Sequence, residues 1–513
     1  MIRTSSTHPL RIDSLSVGSG SLGLTICPGK SGSSLFGAPW QRDLKTDLEA
    51  IQGWGATTVV TLVEPHELHE LGVRELGSGV KELGLTWHYY PFPDGDIPRD
   101  LPAWESLSPL LHQELDQGGR VIIHCRGGLG RAGTIASLLL IERGDDADEA
   151  MRRVRDTRVG AVETAVQEAF LRERAELDNR RTERIRASLF GGAIGDALGA
   201  EIEFWSLAQI LERFPDGVND MLPHDGHPGA ITDDTQMTLF SAEGLMRAVV
   251  RSQLKGICHP ASVIHHALLR WFITQGGTPA CETDDIGLLC DPRLHRRRAP
   301  GMTCLSSLSR TTTFGEVARN DSKGCGTIMR VAPVGLIGFD IEQTVRESSA
   351  LTHGHVTGQE AAIAWALMLN AVLEGEELET AARQLVGKSG PETNRALEQA
   401  LAAPRDGRPE TVESLGAGWV AEEALAIALF AALAAEGAEE GLRVAVTHSG
   451  DSDSTGAIAG NMLGLLYPEE MMAHPWRQRI ECADLIDRVA RDLAGISSHQ
   501  GDVTSFSERY PGA

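Results

Sequence analysis

The last clear strand signal in this 513-residue chain is 120–124 (RVIIH); beyond it such signals almost vanish. Before that point, β-branched or aromatic runs at 56–63 (ATTVVTLV) and 85–90 (LTWHYY) alternate with helical stretches at 44–52 and 101–117. Helices at 132–143 and 147–155 follow Gly130. Such alternation requires a sheet covered by helices, an α/β domain. Residues 162–188 are helical by propensity and heavily charged in their second half, which suits an exposed connector. The segments 236–252, 261–274, 341–350, 358–375, 379–388, 392–403, 419–436 and 455–467 then read as helices by apolar spacing or alanine content. At about 100–200 residues per domain the length allows two to four domains. The expected division is an α/β domain over 1–175, a charged helical connector over 176–185, an all-α domain over 186–498 and a loose tail over 499–513.

Composition narrows the partners. With 42% apolar and 23% charged residues the chain is ordinary globular protein, not disordered, collagen-like or membrane-embedded. The net charge is −24, and both parts are acidic: 19 basic against 26 acidic residues through Arg180, then 28 against 45. Such surfaces repel nucleic acid and anionic lipid, so neither nucleic acid nor membrane is expected as a partner. Residues 1–20 hold no apolar signal segment. The longest strongly apolar run, 425–435 (LAIALFAALAA), falls short of the roughly 20 residues that span a bilayer and reads as a core helix. Eight cysteines without paired spacing suit reduced thiols, and a cytoplasmic location is the expectation.

Residues 124–131 read HCRGGLGR, a strand end, a glycine-rich loop and a helix start. In such a loop, Arg126, Gly127, Gly128, Leu129 and Gly130 turn backbone N–H groups inward around one tetrahedral oxyanion, aided by the helix N-terminus. The same field and Arg131 favour the thiolate of Cys125 as nucleophile. Arg131 can grip a phosphoryl group through two parallel hydrogen bonds. The bland alternative is a buried strand-end cysteine beside an ordinary glycine turn.

This segment resembles the dual-specificity cysteine phosphatases of the cyclin-dependent kinase inhibitor 3 type, over roughly residues 20–175. The resemblance implies an α/β cysteine-phosphatase fold, a phosphorylated substrate and a phosphocysteine intermediate. It makes 91–98 (PFPDGDIP) the general-acid loop, with Asp94 donating the proton and Asp96 a second candidate. It also matches Glu163, Thr164 and Gln167 to the segment whose glutamine positions the hydrolytic water. One departure stands out: the family usually has Ser or Thr directly after the arginine, and here that residue is Ala132, with Thr134 the nearest hydroxyl. Breakdown of the intermediate is then slow, or Thr134 compensates.

The helical part carries two carboxylate clusters, Thr232-Asp233-Asp234-Thr235 and Asp451-Ser452-Asp453-Ser454, each opening a helix, with no cysteine nearby in sequence. Either cluster alone reads as an N-cap. Converging in space, they would demand a cation, and oxygen donors select Mg²⁺, Mn²⁺ or Ca²⁺. Six blocks set the context: RASLFGGAIGDALGAEIEFWS at 186–206, GAITDDTQM, GCGTIMRVAPVGL, LTHGH, GWVAEEA and VTHSGDSDSTGAIAG. In this order they resemble the ADP-ribosylglycohydrolase family, from about residue 183 to 498.

That resemblance implies an all-α ADP-ribosylglycohydrolase fold with two Mg²⁺ ions, Mn²⁺ being an alternative. It implies metal ligands at Thr232, Asp233, Asp234, Asp451, Asp453 and Ser454, and Glu203 as a gate or base. Asp196 reads as a cap, and His353, His355 and His448 as structural or substrate-lining. Met329, Ala332 and Trp419 fit core packing equally well. The chain as a whole reads as a bifunctional hydrolase, releasing ADP-ribose from a protein or small acceptor, arginine-linked or related, and phosphate from a phosphorylated substrate. Two rivals stand beside it: an ADP-ribose-binding module joined to an active phosphatase, and a hydrolase joined to a non-catalytic phospho-recognition domain.

Overall fold

The computed structural model describes residues 2–33, 37–497 and 503–512, which divide at Asn179 and Arg180 into two compact units. The first unit is built on seven strands: β1 (Asp13–Val17), β2 (Gly20–Ile26), β3 (Ser31–Gly32), β4 (Trp40–Gln41), β5 (Thr58–Thr61), β6 (Thr86–Tyr89) and β7 (Arg120–Cys125). Five of them form one sheet in the order β1-β2-β7-β5-β6, parallel except for the β1–β2 hairpin, while β3 pairs only with β4. Around the sheet lie α1 (Leu44–Gly53), α2 (Pro65–Glu70), α3 (Leu76–Glu82), α4 (Leu101–Asp116), α5 (Gly130–Ile141) and α6 (Ala147–Thr157).

Strands β5 and β7 are apolar on both faces because both faces are covered. Val60, Val121 and Ile123 point toward Trp104 and Leu111 of α4 and Ile135 of α5. Their in-register neighbours Val59 and Ile122 point the other way, toward Leu48 and Ile51 of α1 and Val80 of α3. This is the period-two alternation of a doubly covered sheet. The β1–β2 hairpin escapes sequence reading because DSLSV and GSLGLTI are rich in serine and glycine. It forms because β2 pairs in parallel with β7, bringing Ile26 beside Cys125.

The expected connector over 176–185 lies inside one continuous helix, α7 (Ala165–Gly199). Leu171 and Ala175 are buried in the core of the first unit. The second unit begins at Arg180, not at 186. Arg181 pairs with Glu374 at 2.6 Å, and Arg184 donates to the carbonyls of Val372 and Leu373 at 2.8 Å each.

Among its described residues the second unit is helical with isolated bridges only, and includes α8 (Leu207–Arg213), α9 (Asp233–Lys255) and α10 (Pro260–Thr274). Its centre is a contact between α7 and the helix Ser452–Leu466. A Cβ on Gly191 would strike the carbonyl of Gly460, one on Gly195 that of Gly456, and one on Gly199 the main chain of Ser452. Glycine at every fourth residue of α7 therefore lets the two helices meet main chain to main chain. The 425–435 run lies in the helix Ala421–Ala434 and its C-cap Ala435, buried through its middle as expected. Helix Val356–Leu373 is long and apolar enough to cross a bilayer by length and composition, and is 72% buried in this unit.

The loose tail is corrected in part. Residues 498–502 lie outside the described residues, but Val503–Arg509 is a helix. Arg509 pairs with Asp492 at 2.5 Å, and the buried Tyr510 donates its hydroxyl to the same carboxylate at 2.6 Å.

Gly195→Ala should destabilise the second unit by about 1–3 kcal/mol, the usual cost of overpacking. Gly53→Ala, where a Cβ meets nothing within 4 Å, is the control. Denaturant unfolding followed by fluorescence checks this, and equal midpoints for the two variants would refute the close contact.

Candidate active sites

In the first unit, β7 ends on Cys125 and the chain turns through 126–130 into α5, whose N-cap is Leu129. Gly128 holds φ at +69° and places its N–H 3.1 Å from Cys125 Sγ. A Cβ there would run into the carbonyl of Thr25 on β2, so the loop can lie against the sheet only with glycine. The loop's own carbonyls are held from outside: Lys30 donates to Arg126 O (3.0 Å) and Arg158 to Gly127 O (3.1 Å). Gly130 N–H donates to Glu163 at 2.8 Å, while Gly127 has open space beside its Cα. Arg126 is half-exposed, 3.4 Å from Glu70.

Arg131 is fully buried, its fork held by both oxygens of Glu67 at 2.5 and 2.8 Å. It also donates to Leu62 O (3.2 Å) and Phe92 O (3.0 Å). Burial pushes Glu67 up, but hydrogen bonds from Arg131 and from the Glu64 main chain outweigh it and hold the carboxyl below its ordinary range. Of the two loop aspartates it is Asp94 that reaches the site, 3.0 Å from Arg131 Nη2 with its side chain 59% exposed. Asp96 is spent on Ile97 N–H and Arg99.

Gln167 is buried and ties two segments together, accepting from Glu163 N–H (3.0 Å) and donating to Asp96 O (3.1 Å). Thr134 does not replace the missing hydroxyl at Ala132: its Oγ1 donates to Gly130 O one turn back, at 2.9 Å. Glu67 and Lys30 were missed in the sequence. They lie 58 and 95 residues before Cys125, outside any motif, and only sheet pairing brings them in.

In the second unit the two acidic clusters do meet. Glu203, Asp233, Asp234, Asp451, Asp453 and Ser454 line one pocket of about 200 Å³, and no lysine or arginine lines it. Glu203, Asp451 and Asp453 each present a carboxylate oxygen within 4.8 Å of the others. All five carboxylate residues are buried, and Asp234 Oδ1 has no hydrogen-bond partner. Thr232 caps α9, its Oγ1 accepting from Asp234 N–H. Asp233 accepts from Gly301 N–H at 3.1 Å, and Asp453 from Ser454 N–H at 2.9 Å. The nearby buried Arg330 turns to Ser348 O and Thr352 Oγ1 instead.

Burial first, and the neighbouring aspartates with it, holds Asp233, Asp234 and Asp451 well above the ordinary carboxylate range. The same causes push Glu203 up to about 9. Five carboxylates facing one another in this way fit a divalent cation, since oxygen donors without a cation would repel.

Asp196 is a cap, but for another helix: from α7 it accepts the N–H groups of Thr232 (3.0 Å) and Thr235 (3.1 Å) at the start of α9. His355 caps helix Val356–Leu373, His448 braces Thr455 at 2.9 Å, and His353 lines the pocket. Met329 also lines it, and Ala332 is core. Trp419 is not core: 42% exposed, it lines the pocket stacked on the exposed Phe204 at 5.5 Å. No cysteine is near either cluster in sequence, but one meets them in space. Cys325 Sγ donates to Asp451 Oδ2 at 2.8 Å, brought there because Cys325 N–H pairs with Trp419 O. The GCG within GCGTIMR was the available signal.

Two family models match the chain: "ADP-ribosylglycohydrolase" over residues 177–502, and "Swiss Army Knife protein, DSP-PTPase phosphatase domain" over 39–171. The ADP-ribosyl-[dinitrogen reductase] glycohydrolase of Rhodospirillum rubrum is 25% identical over 307 residues, 58% of this chain and 90% of that protein. Cyclin-dependent kinase inhibitor 3 of Rattus norvegicus is 30% identical over 155 residues, 30% of this chain and 70% of that protein. A solved "ADP-ribosylglycohydrolase-related protein complex" aligns with 62% of this chain and 99% of its own at 25% identity and TM-score 0.48.

The carboxylate pocket generates a pH prediction. A carboxyl whose pKa is raised on folding stabilises the fold fully below the unfolded value near 4, and that contribution is lost as pH rises through the folded value. With Asp196 at about 7 and Glu203 at about 9, the cation-free second unit should melt at steadily lower temperature from about pH 5 to pH 9. Saturating Mg²⁺ or Mn²⁺ should flatten that fall. Calorimetry in chelator and in metal checks it; a melting temperature independent of pH in chelator would contradict the reading.

Proposed function

The chain belongs to the ADP-ribosylglycohydrolase family and carries a dual-specificity-phosphatase domain ahead of that family's domain, and on this basis we propose a two-site hydrolase that removes ADP-ribose and phosphate from its substrates. One observation carries the first activity: five buried carboxylates line a pocket that no lysine or arginine lines. We assign Thr232, Asp233, Asp234, Asp451, Asp453 and Ser454 to two divalent ions, Mg²⁺ or Mn²⁺. When bound, such ions supply Lewis-acid binding of the distal ribose hydroxyls and activation of water. Glu203, ionised once cations offset the neighbouring carboxylates, takes the proton from the water that attacks the anomeric carbon and returns it to the acceptor nitrogen or oxygen as the C–N or C–O bond breaks. Glycine-rich turns and helix N-termini suit the diphosphate of the ADP-ribose portion. ADP-ribosyl-arginine is the first substrate to test, with a cytoplasmic ADP-ribosylated protein as the expected source.

At the other site, Cys125 attacks the phosphorus and forms an S–P bond while the P–O bond breaks. Asp94 gives its proton to the departing oxygen. Arg131 and the N–H groups of 126–129 hold the phosphoryl oxygens, that of Gly130 being committed to Glu163. Water then cleaves the S–P bond and returns the thiolate. A second reading has a specific observation behind it. Ala132 offers no hydroxyl and Thr134 is committed to Gly130 O, which supports a domain that recognises phosphate and turns over slowly.

Two predictions separate these readings. Release of ADP-ribose from ADP-ribosyl-arginine should vanish with chelator and fall at least about a thousandfold in Asp453→Ala, while aryl phosphate hydrolysis persists. Undiminished release in excess chelator would overturn the metal assignment. Conversely, Cys125→Ser should abolish aryl phosphate hydrolysis and spare ADP-ribose release. Ala132→Ser should speed single-turnover loss of phosphate from Cys125; an unchanged rate would mean that a hydroxyl at that position is not what limits the step.

A further inference from the structure

Which way a peptide unit faces decides whether a loop attracts or repels an anion. Across a planar trans peptide, the C=O of one residue and the N–H of the next point in opposite directions. Lys30 Nζ donates to Arg126 O at 3.0 Å, which turns Gly127 N–H to the other side of the loop. Arg158 Nη2 donates to Gly127 O at 3.1 Å, which turns Gly128 N–H likewise. The result is visible at the second unit, where Gly128 N–H points at Cys125 Sγ, 3.1 Å away. Two cations outside the loop therefore hold successive carbonyls off the nucleophile and leave the N–H side to an oxyanion.

Only one of the two cations is paired. Arg158 meets Asp13 of β1 at 2.6 Å. Arg131 is held by Glu67, and Arg126 lies 3.4 Å from Glu70. Lys30 has no carboxylate partner among the described residues; besides Arg126 O, it meets the Trp40 ring at 5.3 Å. Arg42, a second cation on that ring, is locked to both oxygens of Asp47 at 2.7 and 2.8 Å. The turn after β2 delivers Lys30: Gly29 N–H donates to Asp47 at 2.8 Å and Arg42 N–H to Lys30 O at 3.2 Å. Burial holds the Lys30 ammonium below its ordinary range, and the charge of a thiolate at Cys125 is among those that oppose it. A half-buried cation without a counter-ion is stabilised by an anion arriving beside it.

We propose that Lys30 is a positioning residue of the phosphatase site and that its unpaired charge selects dianionic phosphate monoesters over monoanionic diesters. It acts through the loop: the ammonium keeps Arg126 O turned away and polarises that peptide unit, so that Gly127 N–H is aimed at a phosphoryl oxygen. Arg131 and Glu67 cancel, so Lys30 is the charge left to answer the second negative charge of a monoester. The inference rests on Cys125 as a phosphatase nucleophile.

Tungstate, a tetrahedral dianion, and perrhenate, its monoanionic counterpart, test this on the full chain. Protection of Cys125 from iodoacetamide, read by mass spectrometry, reports binding at this site alone and needs no turnover. Lys30→Met should raise the half-protecting concentration of tungstate at least about tenfold and that of perrhenate less. Lys30→Arg, which keeps donor and charge, should recover most of the loss. Should Lys30→Met fail to fold, Lys30→Gln, which keeps an N–H donor but no charge, carries the same difference between the anions. Protection of the wild type by tungstate alone already agrees with the charge preference. Unchanged tungstate protection in a folded Lys30→Met or Lys30→Gln protein, or an equal loss for both anions, would overturn the proposal. A wild-type protein protected by neither anion would overturn the phosphatase reading beneath it as well.

Discussion

Helix α7 and helix Ser452–Leu466 touch main chain to main chain, and the acidic pocket exists because they do. Gly191, Gly195 and Gly199 face Gly460, Gly456 and Ser452, leaving no room for a side chain between them. Helix pairs separated by side chains stand roughly 8–10 Å apart. Glu203 follows the end of α7 by four residues, and Asp451 is the N-cap of its partner. Closing the gap between the helices brings Glu203, Asp451 and Asp453 within reach of one ion. Asp196, also on α7, then reaches across to cap α9 and fixes where Asp233 and Asp234 stand.

The two candidate active sites solve opposite electrostatic problems. In the phosphatase loop the buried cation Arg131 already has its counter-ion in Glu67, so the site is close to neutral before any phosphate arrives. The fork is held rigid by that pair and by two carbonyls, which is preorganisation in place of reorganisation on binding. In the acidic pocket the buried carboxylates have no such partner, and burial first, then the neighbouring carboxylates, raises their pKa values. Proton or metal must relieve it.

Capping and carboxylate clustering turn out to be one arrangement, not rivals. Thr232 caps α9, and Asp233 and Asp234 occupy the first turn of that helix, where the dipole favours negative charge. Asp451 stands as N-cap in the same way at the other helix. A helix start places short oxygen-bearing side chains at defined angles, so residues that begin helices also converge on one pocket. Thr134 is the contrary case, where local bonding removes a candidate. A hydroxyl inside a helix finds the carbonyl four residues back, and that bond takes it away from Cys125.

Local sequence determined the strand–loop–helix around Cys125, the helix starts at Asp233 and Ser452, and the switch from α/β to all-α, because each depends on neighbours within a few residues. It also carried both family resemblances, since motif blocks keep their order. The hairpin β1–β2 and the Glu67 clamp on Arg131 were not legible. Each rests on pairing between segments many residues apart, and a serine- and glycine-rich strand has little propensity of its own. Cys325 against Asp451 and Trp419 at the pocket mouth were hidden for the same reason: 126 residues separate the thiol from the carboxylate it meets. Whether an acidic cluster is a cap or a cation site, and whether an arginine is satisfied or left open, is decided by what packs opposite, and only the tertiary structure supplies that.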